Sequence, residues 1–553
     1  MQDKLCCKYI CFLNFTLQMQ LQAQNIHYRE TGYFNDLILD YLDHHTSLHD
    51  FYAHTPTIEG IRSAIEERKS YRYDRPLLVQ QLRAQYAGIE VTAQVNTSIE
   101  KLLDEHTFTI TTAHQPNLLT GPLYFIYKII HAIKLADHLN GALPEYHFVP
   151  VFYMGMEDAD KEELNHFSVR GKTYQWNTKQ QGAFGRMKID TDLIRLLDEL
   201  EAQLGSMSNT KEMMMQLRNC FSSGKTIAAA TFEWVHHLFG KYGLIVLLPD
   251  NASLKSLFAD EMKDDLLNHT AYHKLNETKS SFPYPADWQA NARPINLFYL
   301  KDVLRERIEF NQQNYKVVNS SFEFNKNELL AELNTNPATF SPNVILRPLF
   351  QEKILPNLVY IGGAGELAYW LQLKAVFDNY EIPFPVLMLR NSMLLLQEKQ
   401  EQLLQKLGFE INDIFKSADE LIKAHVTSNA KHSLKLTEER QQLDASFKQI
   451  QQRAEVVDPT LRQHVAALLR GVIKKMDALE QKMLRAEKRK FEDAGRQIAQ
   501  VKSQLFPGNT LQERKESMLG FYAMMGDSFI QQLYENMPVI RQEFTILTYP
   551  ASN

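Results

Sequence analysis

The stretch "FTITTAHQPNLLTGPLYFIYKIIHAIKLADHLN", Phe108 to Asn140, runs through three kinds of sequence without a break. "FTITT" (Phe108–Thr112) is short, β-branched and apolar enough for a buried strand. A polar turn with His114, Gln115 and Asn117 follows, then a tight Thr120-Gly121-Pro122 step. Beyond it the apolar residues recur as in a long amphipathic helix. Strand, turn and helix in that order are the unit of a parallel sheet covered by helices, whose ligands gather at the strands' carboxyl ends. A histidine, two amides and a hydroxyl crowded at that address read as a site.

Four more runs have the same buried-strand character: "HFVPVFYMG" (His147–Gly155), "GLIVLLPD" (Gly243–Asp250), "PNLVYIGGAG" (Pro356–Gly365) and "PFPVLMLR" (Pro383–Arg390). Helical patterns separate most of them. The expected fold is therefore α/β, a Rossmann-like parallel-sheet core over residues 19–390. The strands lie far apart in sequence, so insertions are expected near 170–240 and 255–340.

After Arg390 the strand signal ends. Leu461, Val465, Leu468, Val472, Met476, Leu479 and Met483 fall three or four residues apart, and Phe491, Ile498, Val501 and Leu505 continue the seam. "FPGN" (Phe506–Asn509) stops it. Residues 391–506 are expected to form an α-helical antiparallel coiled-coil domain. Its helices start near Ser392, near Thr437 and, with Asp458 as cap and Pro459 in the first turn, near Thr460. The plain reading is a bracing or dimerising arm. Residues 507–553 are expected to pack back on the core.

Composition narrows the classes. The chain has 553 residues, enough for two to four domains, with 44% hydrophobic and 23% charged residues. A net charge of −6 gives no basic footprint, so no nucleic-acid partner is expected. No run reaches the ~20 apolar residues of a membrane helix. Cys6, Cys7 and Cys11 crowd the start and only Cys220 lies beyond, which argues against a disulfide framework or a cysteine zinc site. The opening "MQDKLCCKYICFLNFTLQ" has no small-residue cleavage site after its apolar stretch. Met19 precedes an ordinary start, so residues 1–18 read as an upstream-start extension of a cytoplasmic protein.

Three segments place polar groups after strands. The first supplies His114, Gln115, Asn117, Thr120 and Gly121, with Tyr124 opening the helix. "GMEDADKEELNH" supplies Glu157, Asp158, Asp160, Glu163, Asn165 and His166. "IGGAGELAYWLQLK" supplies Gly362, Gly363, Gly365, Glu366, Tyr369, Trp370 and Lys374. Each has a plain alternative: a loop histidine, acids favouring a helix start, a turn glycine. A bare phosphate cradle needs open N–H groups, and Glu366 at the helix start would repel a phosphate. Glu366 suits an amine, whereas Arg347, Arg390 and Lys374 suit carboxylates or phosphates. His114, Asp158, Asp160 and His166 match no metal spacing, so no metal site is expected. There is no GxxxxGK[ST] loop, GxSxG elbow or HExxH.

"HQPNLLTGPLYFIYKIIHAIKLA", "VPVFYMGMEDADKEELNH", "SPNVILRPLFQEKILPNLVYIGGAGELAYWLQLKAVF", "FPVLMLRNS" and the late "LFPGNTLQERKESMLGFYAMMG" together resemble the cysteine-adding enzymes of bacillithiol synthesis, the BshC family. The likeness runs from about Gln22 to the C-terminus. Many relatives carry glutamine-glycine wording where this chain reads "AHQPNLLTGP"; the Thr120-Gly121-Pro122 step is kept.

The resemblance implies a Rossmann-like core with connecting-peptide insertions and a coiled coil that makes a homodimer. It also implies a carbon–nitrogen ligase that adds L-cysteine to the glucosamine amine of glucosaminyl-malate as the last step of bacillithiol assembly. The cysteine carboxyl must be activated, so ATP with Mg2+ is expected. Glu366, Asp158, Glu157 and His114 are then the candidate catalytic residues. Gln115, Asn117, Thr120, Gly121, Tyr124, Asp160, Asn165 and His166 are candidates for substrate binding, with Arg347, Gln351, Tyr369, Trp370 and Lys374 from the later segments. Gly362, Gly363, Gly365, Arg390 and Ser392 are candidates for a nucleotide or phosphate. The rival readings are an adenylyl-transfer enzyme related to class I synthetases, lacking their HIGH and KMSKS wording here, and a non-catalytic coiled-coil scaffold.

Overall fold

A computed structural model of the protein describes residues 21–550. The expectation for residues 1–18, and Cys6, Cys7 and Cys11, lie outside that range. Strand β1 (Thr107–His114) is buried along nearly all its length. Threonines tolerate this because their hydroxyls find partners. Thr109 Oγ1 lies 3.1 Å from Thr111 Oγ1 and donates to Asn357 Oδ1 at 3.2 Å, and Thr112 donates to the Ile361 carbonyl at 2.8 Å.

With β2 (His147–Met154), β3 (Ile245–Leu247), β4 (Asn357–Gly362) and β5 (Val386–Leu389), β1 forms one sheet in the order β5-β4-β1-β2-β3. Every neighbouring pair is parallel: Ile110 faces Pro150 and Val359, Tyr360 faces Leu387, and Val151 faces Ile245. All five expected runs enter this Rossmann-like sheet. The strand order winds outward from β1 in one direction and from β4 in the other, so it reverses between them.

The turn after β1 is tight. Leu119, Thr120 and Gly121 have successive φ values of 49°, 68° and 55°. A Cβ on Gly121 would lie 2.7 Å from the Asn117 Cβ, so the position demands glycine for both conformation and space. The chain then enters α1 (Tyr124–Ala142), which packs Ala132, Leu135, Ala136 and Leu139 onto Phe108, Ile110, Val359 and Met388. Ile61 and Ile65 of the helix Ile58–Lys69 complete this core. Each such large side chain contributes about 1.5–3 kcal/mol on burial. Helix α2 (Leu346–Ile354) leads into β4, and α3 (Ala364–Gln372) leaves it.

The material between β2 and β3 is a two-stranded hairpin (His166–Val169 with Lys172–Gln175) followed by the helices Thr191–Leu204, Thr210–Cys220 and Ile227–Phe239. That between β3 and β4 holds an antiparallel five-stranded sheet, with Leu297–Lys301 between Leu304–Phe310 and Phe340–Pro342. These strands were not expected; "LRERIEF" is too charged to look like a buried run. Strand Gln22–His27 pairs antiparallel with Glu543–Tyr549.

The described chain divides into two units, residues up to Leu395 with Leu511–Tyr549, and Leu396–Thr510. Where a helix was expected near Ser392, strand Met393–Gln397 forms instead and the helix begins at Glu398. In the second unit α4 (Thr437–Val457) and α5 (Leu461–Lys488) form an antiparallel hairpin. Arg440 pairs with Asp477 and Glu480, while Gln451 donates to the Arg462 carbonyl near the turn. Asp458 caps the turn itself, accepting the Thr460 N–H at 2.8 Å. The long helix expected through Leu505 is broken at Arg489–Phe491 and resumes as Glu492–Leu505.

Candidate functional site

The carboxyl ends of β1 and β4, where the strand order reverses, open into a cavity of about 420 Å³. The α1 and α3 helix starts follow these two strands. Glu366, three residues into α3, accepts the Gly363 N–H at 2.8 Å and the Tyr360 hydroxyl at 2.7 Å, and pairs with Lys128 of α1. Lys128 is 2% exposed and also donates to the Ala113 carbonyl at 2.9 Å. Burial alone would push the Glu366 carboxyl up, but Lys128, His114 and the Gly363 N–H bring it down to about 2. A carboxylate held there is a weak proton acceptor. Glu366 thus anchors Lys128 on the wall.

The glycine loop is likewise committed. The Gly363 N–H is taken by Glu366, and a Cβ on Gly362 would lie 2.7 Å from Leu367 Cδ1. These glycines serve packing and capping; Gly363 and Gly365 reach the cavity wall, and Gly362 does not.

His114 reaches the wall with its ring neutral. Burial and the Lys128 charge pull its pKa down to about 4. Nδ1 lies 3.1 Å from the Gln115 carbonyl, which can only accept, so the proton sits on Nδ1 and the lone pair on Nε2. Gln115 in turn donates to Asp158 Oδ2 at 3.0 Å. Asp158 is 35% exposed, with Arg305 Nη1 at 3.9 Å. Its neighbour Glu157 turns inward to Lys255 and the Ser341 hydroxyl, which places it in a buried charge cluster with Asp250.

Arg347 on α2 is the strongest anion-binding candidate. Its guanidinium donates to Tyr369 Oη at 3.0 Å and Gln351 Oε1 at 3.1 Å, and lies over the Tyr153 ring. Among the described residues no carboxylate comes within 4.0 Å of it. Gln351 is buried and accepts from Arg347. Its amide donates to Glu352 at 2.9 Å, and Glu352 pairs with the fully buried Arg68 at 2.7 Å. Arg390 also reaches the wall, over the Tyr124 ring, but Glu513 pairs with it at 2.7 Å and Ser392 Oγ accepts from it.

Of the other residues expected at the site, Glu163 lines the wall and the rest lie off it. Asn117, Thr120 and Gly121 build the turn, and the Thr120 and Gly121 N–H groups are spent on the Asn117 and Leu118 carbonyls. Asp160 caps Lys161–Leu164, Asn165 is buried, and His166 bonds the Glu162 carbonyl. Trp370 stacks on Tyr360 in the core, and Lys374 pairs with Asp378 outside the cavity. Ser392 is buried behind Arg390.

Several wall residues were missed. Lys128 carried a signal, a lone lysine inside the apolar run "YFIYKIIHAI". Arg305, Gln289 and Asn343 come from the second insertion, and Arg514 from beyond the coiled coil; nothing local marks them. As a holder of ATP, the wall offers unpaired guanidinium for phosphates. Among the described residues no three His, Cys, Asp or Glu side chains group at metal-ligand spacing.

Comparison with known proteins agrees with this geometry. The family profile "Bacillithiol biosynthesis BshC, N-terminal Rossmann-like domain" matches residues 21–391, and "Bacillithiol biosynthesis BshC, C-terminal coiled-coil domain" matches 393–549. Curated relatives named "Putative cysteine ligase BshC" include those of Flavobacterium johnsoniae and Flavobacterium psychrophilum. Each is 39% identical over 95% of this chain and 99% of the relative. That of Christiangramia forsetii is 38% identical over 95% of this chain and 98% of the relative. On these matches, which span nearly the whole length of both chains, the chain belongs to the BshC family of bacillithiol biosynthesis.

Proposed function

We propose that this chain is a ligase that forms an amide between the carboxyl of L-cysteine and the amine of glucosaminyl-malate, the last step of bacillithiol assembly, with ATP as co-substrate. The observation that carries the reading is Arg347. Among the described residues it is a cation with no carboxylate within 4.0 Å, and it lies 3.0 Å from Tyr369 Oη, facing the same cavity as Asp158. ATP, when bound, supplies the activation of the cysteine carboxyl.

The chain's own residues orient the partners. Arg347 holds a malate carboxylate or a phosphate through two parallel bonds. Asp158, positioned by Gln115, holds the sugar ammonium and takes a proton from it, which frees the lone pair of the neutral amine for attack. His114 Nε2 is a second acceptor on the same wall. Lys128, paired with Glu366 and bonded to the Ala113 carbonyl, ties the two helix starts together and so holds the wall around His114 and Gly363 in place.

A cytoplasmic homodimer completes the proposal. Leu468 and Leu479 on α5 are 52% and 49% exposed, an apolar seam suited to a second copy. No helix among the described residues is long and apolar enough to cross a membrane.

The test is a deletion strain assayed for low-molecular-weight thiols and complemented with wild type or Arg347→Ala. Glucosaminyl-malate, the amine precursor, should accumulate in the deletion strain without bacillithiol, and only wild type should restore the thiol. Unchanged thiol pools in the deletion strain would overturn the ligase and favour the scaffold.

A further inference from the structure

Residues 511–517, part of the first unit, are bonded to the rest of it on several sides. Gln512 accepts the Leu395 N–H at 3.0 Å and donates to the Leu395 carbonyl at 3.1 Å, much as a strand would. Glu513, with no exposed surface, accepts from Arg390 at 2.7 Å and from the Met393 N–H at 3.1 Å. The Glu516 carbonyl accepts the Leu123 N–H at 2.8 Å, just before α1. Its carboxylate accepts the N–H groups of Arg170 and Gly171 at 2.8 and 3.1 Å. The Ser517 N–H reaches the Ser168 carbonyl at 2.7 Å. The segment is thus sewn to Arg390 and the strand Met393–Gln397 that follow β5, to the start of α1 and to the hairpin of the first insertion.

Within it Arg514 stands apart. Its side chain is exposed, lies on the cavity wall and, among the described residues, has no carboxylate within 4.0 Å. Glu513 beside it has neutralised Arg390. The free positive charge of the cavity therefore rests on Arg347 from α2 and Arg514 from the returning segment.

We infer that Arg514 is a second anion-binding residue of the site, and that Gln512, Glu513 and Glu516 are there to place it. Its ligand is an oxyanion group, a carboxylate or a phosphoryl oxygen, on a substrate that Arg347 alone does not fully hold. A guanidinium matches either anion through paired N–H bonds. The identity of the substrates rests on the proposed ligase reading; the anion site itself does not.

The test uses the full-length enzyme with Arg514→Gln and Arg514→Lys, each first checked for wild-type melting temperature. With cysteine, glucosaminyl-malate and ATP, Arg514→Gln should raise the KM of one anionic substrate at least tenfold, with little change in the cysteine KM. The lysine variant should recover part of the loss. A rise for glucosaminyl-malate assigns the carboxylate, and a rise for ATP assigns the phosphate. KM values all within twofold of wild type would overturn the inference. If wild type does not turn these substrates over, the ligase reading fails and Arg514 is judged separately by thermal shift with L-malate and with ADP. Stabilisation of wild type by either probe that is lost in Arg514→Gln supports the anion site; equal shifts, or none in either protein, overturn it.

Discussion

Lys128 and Glu366, carried by the helices that follow β1 and β4, pair across the point at which the strand order reverses. Breaking a buried pair strands the remaining charge, at about 3–5 kcal/mol. Lys128→Met is expected to lower unfolding free energy by roughly that amount in urea titrations and to cut thiol formation at least 100-fold. Lys128→Met with Glu366→Leu should recover most of the stability and none of the activity. A single variant as stable as wild type would remove the pair from this account.

Arg347 is held from behind by a buried relay, Gln351 to Glu352 to Arg68. Gln351→Leu should raise the KM of the anionic substrate about tenfold, some 1.4 kcal/mol, with kcat nearly unchanged. Arg68→Met should cost about 3–5 kcal/mol of stability by leaving Glu352 unpaired. Steady-state kinetics and denaturation, done side by side, separate the two effects.

His131 on α1 is fixed as a neutral ring. The Val539 carbonyl 2.9 Å from Nε2 requires a proton there, and Nδ1 accepts the Asn391 N–H. Burial pulls its pKa from 6.5 to about 4. Between those values the unfolded chain binds a proton that the folded chain refuses. The His131 contribution is therefore complete above pH 6.5 and lost as pH falls through 4. Asp265, pushed up to about 7 by burial, acts in the opposite sense, so the measurement is a difference. The stability gap between wild type and His131→Gln should shrink by on the order of 2 kcal/mol from pH 7 to pH 4.5. A gap independent of pH would contradict the assignment.

The exposed leucines of α5 give the fourth test. Leu468→Glu with Leu479→Glu should move sedimentation from dimer to monomer without lowering the helix content, because both side chains already face outward. Wild type sedimenting as a monomer would end the dimer proposal.

What could be read from the sequence follows a physical line. The five parallel strands were visible because each is a continuous apolar run buried on both faces. The antiparallel strands of the second insertion were not, since Leu304–Phe310 is only partly buried and alternates charge. His114, Asp158, Arg347 and Glu366 do share one cavity. What the pattern of residue types could not tell was which charges are already spent. Arg390 looks as available as Arg347 until Glu513 arrives from 123 positions away. Thr120 and Gly121 look like ligands until the backbone shows three positive φ values in a row.

The pairing of Gln22–His27 with Glu543–Tyr549 has a consequence for the order of folding. The hairpin of α4 and α5 closes from contacts local in sequence, whereas the Arg390–Glu513 bond joins residues 123 positions apart and the strand pairing joins residues farther apart still. Long loops close slowly. The unit that carries the cavity is therefore expected to mature after the helical hairpin, and Arg390 stays uncompensated until Glu513 docks against it.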